Sequence, residues 1–147
     1  MNNNDFTKTF QVEQSPAEIF EVIKDVRGWW SGLYGEEFEG SSEKPGDEFT
    51  FRAGGGAHYS KQKLAELIPN KKIVWLVTDS NLNFLEKPNE WIGTKICFDI
   101  SKKGNKTQVR FTHVGLVPKI ECYNSCSSAW SQYLQQFLSP LITKAKG

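Results

Sequence analysis

Charge is missing from one long stretch of this 147-residue sequence: from Cys122 to Thr143 there is no Asp, Glu, Lys or Arg. A surface helix normally carries charge on its wet face, so a helix here is expected to be enclosed along much of its length. Asn124, Ser125, Ser131, Gln132, Gln135 and Gln136 interrupt the stretch, which excludes a membrane span. Cysteine is scarce as well. Cys97, Cys122 and Cys126 are too few for a disulfide framework, and no apolar segment follows a basic start at the N-terminus, so a reducing cytoplasm is the expected setting. Eighteen basic and seventeen acidic residues leave a net charge of +1, with no basic run interleaved with aromatics. That balance argues against nucleic acid as a partner. No Gly-x-Ser-x-Gly, phosphate loop, paired-histidine metal motif or dinucleotide fingerprint occurs, and Gly54-Gly55-Gly56 lacks the Lys-Ser/Thr that phosphate binding needs. No catalytic residue, metal or cofactor is therefore assigned, and binding is expected rather than catalysis.

What the sequence has in quantity is aromatic side chains, 13% of residues, with five Trp and ten Phe. Large rings fill a core quickly and also line apolar pockets. The length suits one domain that buries roughly 70% of its unfolded surface. No linker or internal repeat divides it, so residues 5–147 are read as one domain behind a polar tail, Met1–Asn4.

Alternation sets the strands. Phe6 to Glu13 carries Phe6, Phe10 and Val12 on one side. Ser15-Pro16-Ala17-Glu18 then reads as a helix start with a capping box, and Ile19, Phe20 and Ile23 form its buried stripe. Gly28-Trp29-Trp30-Ser31-Gly32 is expected on a second short helical turn. Strands follow at Asp47–Arg52, Ala57–Ile68 and Lys72–Asp79; the last is apolar on both faces and so central. Glu36, Glu37 and Glu39 read as a solvated acidic loop, and Ser80 to Ile92 as a long loop able to act as a mouth or lid. A hairpin places Ile96, Phe98 and Ile100 on the face of Val109, Phe111 and His113, and turns at Lys102–Asn105. A helix from about Ile120 to Ser139 closes the chain. Its expected buried stripe is Tyr123, Cys126, Trp130, Leu134, Phe137 and Leu141, with a kink in the last turn at Pro140.

This order of elements resembles the helix-grip fold of the START-like (SRPBCC) superfamily. Within it the chain is similar to the family named for the C-terminal domain of the activator of Hsp90 ATPase. The residues that carry the resemblance are Ser15-Pro16-Ala17-Glu18-Ile19-Phe20, Trp29-Trp30, Pro69-Asn70-Lys71-Lys72-Ile73-Val74-Trp75, Phe111-Thr112-His113-Val114-Gly115-Leu116 and Ala129-Trp130. Glu121-Cys122-Tyr123-Asn124-Ser125-Cys126 is similar to a bacterial stand-alone branch of that family. The resemblance implies an α+β fold: a curved antiparallel sheet of six to seven strands around a long C-terminal helix, with two short helices after the first strand. It implies three functions: a cavity that holds a small hydrophobic or amphipathic molecule, an Hsp90-type chaperone partner, or an enzyme of the cyclase or hydratase kind. In the eukaryotic co-chaperone a separate N-terminal domain carries the principal chaperone contact, and nothing before Asp5 corresponds to it. The cavity is therefore the first expectation.

Eight side chains are expected to line it: Trp30, Phe51, Trp75, Phe98, Phe111, His113, Trp130 and Tyr133, around a space of roughly 300 Å³ or more. His113 could be a ligand donor or general base there, against the plainer role of a hydrogen-bonded structural histidine. His58 and Tyr59 are candidates for the mouth. Cys122 and Cys126 share a helical face with Cβ atoms about 5–6 Å apart. A disulfide prefers roughly 3.8 Å, which disfavours a bridge inside an intact helix. Trp29 and Trp91 are the expected exposed anchors for a protein partner.

Overall fold

The computed structural model describes residues 5–31, 33–83 and 85–144. Met1–Asn4, expected as a polar tail, and Gly32 of the tryptophan segment lie outside the described residues, as do Phe84 and 145–147.

Strand β1 (Phe6–Val12) leads into α1 (Pro16–Lys24) and α2 (Val26–Trp29). The entry to α1 is held by a complete capping box. The Glu18 amide donates to Ser15 Oγ at 3.2 Å, and the Ser15 amide donates to Glu18 Oε1 at 2.9 Å. Ile19 and Ile23, one turn apart, are fully buried, so α1 seats its apolar stripe on the sheet.

Six more strands follow: β2 (Glu37–Gly40), β3 (Glu48–Ala53), β4 (His58–Ile68), β5 (Lys72–Leu82), β6 (Lys95–Lys103) and β7 (Lys106–Val114). They form one antiparallel seven-stranded sheet in the order β1-β7-β6-β5-β4-β3-β2, with β5 in the middle. The acidic segment is not a loop. Glu37 to Gly40 pairs with Arg52 to Phe49 as edge strand β2, turning Phe38 toward Phe51 while Glu37 and Glu39 face water. Strand β5 also runs three residues past Asp79, which shortens the expected loop after it.

Register gives the sheet two unlike faces. Phe51, Leu64, Trp75, Ile96, Phe98, Val109, Phe111 and His113 share the inner face, and each is almost wholly buried. The C-terminal helical segment lies against this face. It comprises α3 (Tyr123–Gln132), a π-helical turn (Tyr133–Leu138) and α4 (Ser139–Lys144). This is the helix-grip arrangement. The irregularity expected at Pro140 falls one turn earlier: the Ser139 amide bonds the Leu134 carbonyl, five residues back. That wide turn re-phases the buried stripe. Trp130, Leu134, Leu138 and Ile142 face the core, while Phe137 is half-buried and Leu141 is exposed, contrary to the expected stripe.

Candidate functional site

Most of the space under the helix is filled by rings. Trp130 is 2% exposed and lies within 4.7–6.4 Å of the rings of Trp29, Trp30, Trp91, Phe111 and Tyr133. Phe98 packs edge-on to Trp29, Trp75 and Phe111. Toward one end of the sheet this packing opens into a cavity of about 240 Å³. Its walls are Trp30, Phe51, Trp91 and Trp130, with Ala53, Ala57 and Ala129 supplying room where a larger side chain would close it. Tyr34 and Ser125, both exposed, stand with Gly54 at the same opening.

Four of the eight expected residues line this space: Trp30, Phe51, Trp130 and Tyr133. The other four, Trp75, Phe98, Phe111 and His113, do not reach it. They share the inner face, but Trp29 and Trp130 cover Phe98, Phe111 and His113, and Trp75 packs edge-on to Phe49 and Phe98, so alternation placed them on the right face and could not show which rings lie on top. The cavity is also smaller than the 300 Å³ expected, for the same reason. A tryptophan expected elsewhere contributes instead. Trp91, expected as an exposed anchor, is 3% exposed and forms a wall; Trp29, the other, is fully buried. The loop carrying Trp91 is fastened down, since the Glu121 carboxylate accepts from the Glu86 and Lys87 amides at 3.0 Å each. His58 lines the cavity as foreseen, whereas Tyr59 does not and instead stacks under the Arg52 guanidinium at 4.8 Å.

Among the described residues no Asp, Glu, Lys or Arg lines the cavity, and its one imidazole, His58, is held neutral. His113 is fully buried; its Nδ1 accepts from Trp130 Nε1 at 3.0 Å, which leaves the proton on Nε2, 2.9 Å from Thr94 Oγ1. Thr94 Oγ1 in turn donates to the Trp91 carbonyl at 2.6 Å. Burial, with a contribution from nearby His58, pushes the His113 pKa down to about 3. His113 is thus a structural link between sheet, loop and helix, with no free lone pair for a base. His58 sits edge-on between Phe51 and Trp91, its Nε2 buried and unpartnered, and burial pushes its pKa down to about 4. Tyr133 donates its phenol proton to Glu36 Oε2 at 2.5 Å. The same carboxylate oxygen accepts from the Leu33 and Tyr34 amides at 3.1 Å, tying that loop to the helix. Burial, then the Glu36 hydrogen bond and charge, push the Tyr133 phenol well above its ordinary pKa. Glu36 was legible only as part of an acidic cluster, with no signal for this bond.

Cys126 lines the cavity and Cys122 lies behind it. Among the described residues no three His, Cys, Asp or Glu side chains are grouped closely enough to hold a metal ion. No helix is long and apolar enough to cross a membrane among those residues. A second hollow of about 200 Å³, between α1 and the segment around Ser42, has mixed charge from Glu21, Lys24, Asp25, Arg27 and Glu43.

The family model for the activator of Hsp90 ATPase homolog 1-like proteins matches residues 14–141, nearly the whole described fold. The chain belongs to this family. Among solved structures, the Aha1 dimer from Colwellia psychrerythraea is 25% identical, with a TM-score of 0.72 over 97% of this chain and 98% of that one. A protein from Mesorhizobium loti is 14% identical with a TM-score of 0.70, covering 95% of this chain and 98% of its own. One from Chromobacterium violaceum is 15% identical with a TM-score of 0.68, covering 95% and 97%. At these last two identities the likeness shows the fold alone. No curated protein matches the sequence. Membership in the activator of Hsp90 ATPase homolog 1-like family accounts for the sheet, the helices and their order.

Proposed function

We propose that this protein is a non-catalytic binding domain for a small, uncharged ring compound held in the cavity between sheet and C-terminal helix. The observation that carries this reading is the aromatic wall of Trp30, Phe51, Trp91, Trp130 and Tyr133 around about 240 Å³, with no charged side chain among the described residues that line it. A dry cavity of about 150 Å³ accommodates benzene, so this one suits one or two fused rings. A carboxylate or phosphate would find no counter-ion and would lose its hydration. Tyr133 Oη keeps lone pairs after donating to Glu36, and a ligand hydroxyl or N–H could donate to them. Catalysis is disfavoured, because His113 is committed to Trp130 and Thr94, and burial leaves His58 a weak base, its pKa down to about 4.

The test is a titration with 2-naphthol, read by quenching of tryptophan fluorescence. Saturable binding at micromolar concentration is expected. Ala57→Phe, which puts a ring into the empty space, should weaken it by about tenfold or more, a loss of roughly 1.4 kcal/mol. No saturable quenching, or equal affinity in the filled variant, would contradict the proposal.

A chaperone partner is the second reading, favoured by the family and by the name of the Colwellia relative. Stable interfaces bury about 1,600 Å² around aromatic or Arg anchors, but Trp29 and Trp91 are both inside the protein. The exposed large apolar side chains among the described residues are Tyr34, Ile68, Ile92, Val114 and Leu141. The isolated protein is therefore expected not to raise the ATPase rate of a purified bacterial Hsp90 at micromolar concentration. Saturable stimulation that Ile92→Ala or Tyr34→Ala abolishes would move this reading to first place.

A further inference from the structure

Two buried thiols meet at the wall of the cavity. Cys122 stands at the N-terminal boundary of α3, just outside the helix, and its carbonyl accepts from the Cys126 amide at 2.7 Å. The two thiols lie close enough that each shifts the other's ionisation, and Trp91 Nε1 donates to Cys122 Sγ at 3.4 Å. Cys126 is the member that lines the cavity; Cys122 is 1% exposed and lies behind it. We infer that Cys122 and Cys126 form an oxidisable dithiol, reached through the cavity, that hydrogen peroxide converts to an intramolecular disulfide.

The geometry allows the bridge that a helix interior would resist. Residues four apart along a helix have Cα atoms roughly 6 Å apart, inside the span of about 4.4–6.8 Å that disulfides use. Only the Cβ directions need adjustment. Because Cys122 is not within the helix, turning its backbone breaks one terminal hydrogen bond rather than an internal ladder. Charge is available as well. The Cys126 hydrogen bond, assisted by the Trp91 N–H, lowers the pKa of Cys122, while the same bond and burial raise that of Cys126. The pair ionises once with the charge favoured on Cys122, and the form that reacts is the minor one, in which the shared proton sits on Cys122 and the charge on the cavity-facing Cys126.

The chemistry balances. The Cys126 thiolate attacks one peroxide oxygen, the O–O bond breaks, and hydroxide leaves to take up a proton as water. The Cys126 sulfenic acid is then attacked by the Cys122 thiolate, forming the S–S bond and releasing a second water. Two thiols are oxidised and one peroxide is reduced. A small neutral oxidant fits an uncharged cavity. In the product Trp91 Nε1 faces a disulfide sulfur, a weaker acceptor than the thiol pair, so indole fluorescence reports the reaction. Cys97 is an internal control: it lies on the outer face of β6, and burial with nearby Asp99 pushes its thiol up to about 11.

The test treats the whole reduced protein with hydrogen peroxide and follows intact mass and peptide maps. The expected product has lost two hydrogens, links Cys122 to Cys126 and keeps Cys97 reduced. Cys122→Ser should stop at the sulfenic acid, gaining one oxygen at Cys126 that dimedone traps. Cys126→Ser should leave Cys122 unreacted, because nothing then carries the oxidant's attack to the cavity surface. Oxygen gain without a cross-link in the unsubstituted protein, oxidation of Cys97 at the same rate, or equal reactivity of the two variants would overturn the inference.

Discussion

Replacing Trp130 by alanine should destabilise the fold by roughly 3–5 kcal/mol in denaturant unfolding, the cost of deleting a large buried ring. Trp130 touches the rings of Trp29 from α2 and Trp30 just after it, Trp91 from the loop and Phe111 from the sheet, so its removal leaves a hole where every layer meets. It also takes the donor from His113 Nδ1. Trp130→Phe separates the two effects. It keeps most of the packing but leaves a buried nitrogen unpaired, for an expected loss of about 1–3 kcal/mol. A loss below about 1 kcal/mol for the alanine variant would mean that the helix is peripheral, which large core truncations do not allow.

Stability should also fall steeply between neutral and mildly acid pH. His58 and His113 are held neutral in the folded protein, at about 4 and about 3 against an ordinary 6.5. The unfolded chain therefore binds more protons than the native one below about pH 6.5, and stability rises with pH throughout that window. The loss begins as pH drops through the unfolded value and continues until the folded values are reached. By about pH 5 each histidine should have removed roughly 2 kcal/mol. Asp47 and Glu121, whose pKa values are lowered first of all by backbone hydrogen bonds, act in the opposite range. Their contribution is complete above the ordinary carboxylate values of 3.8 and 4.5 and disappears only below them. Urea midpoints measured from neutral pH to about pH 5 isolate the histidine effect, and His58→Phe should roughly halve the slope. A flat profile would mean that both imidazoles can be protonated in place, and a halved one that a single imidazole can.

The strands were legible because their alternation is clean. Ile96, Phe98 and Ile100 face Val109, Phe111 and His113 as the pattern requires. The capping box announced α1 in the same way. Edge strand β2 was not legible, since three glutamates in five residues outweigh the single inward Phe38. The C-terminal helix was legible as enclosed, but its π-turn was not. One residue of extra winding moved Leu138 and Ile142 inward and Leu141 out, and a simple three- and four-residue spacing contains no sign of it. The site was half legible for a related reason. Alternation identifies a face, whereas the cavity depends on which layer covers that face. Trp30, Phe51, Trp130 and Tyr133 border empty space, whereas Phe98, Phe111 and His113 lie beneath other rings and Trp75 packs edge-on to Phe49 and Phe98. Trp91 looked like a loop residue with a surface role because nothing in its neighbourhood signals the sulfur acceptor at Cys122, thirty-one positions away.

The most direct measurement of the central claim is an NMR titration with 2-naphthol that follows the five tryptophan indole N–H resonances. Trp30, Trp91 and Trp130 border the cavity, whereas Trp75 donates to Ser42 Oγ at 2.8 Å in a separate part of the core. The account predicts saturable shifts at Trp30, Trp91 and Trp130, fitted by one dissociation constant, with Trp75 unmoved. Absence of saturable shifts, or a response centred on Trp75, would contradict it.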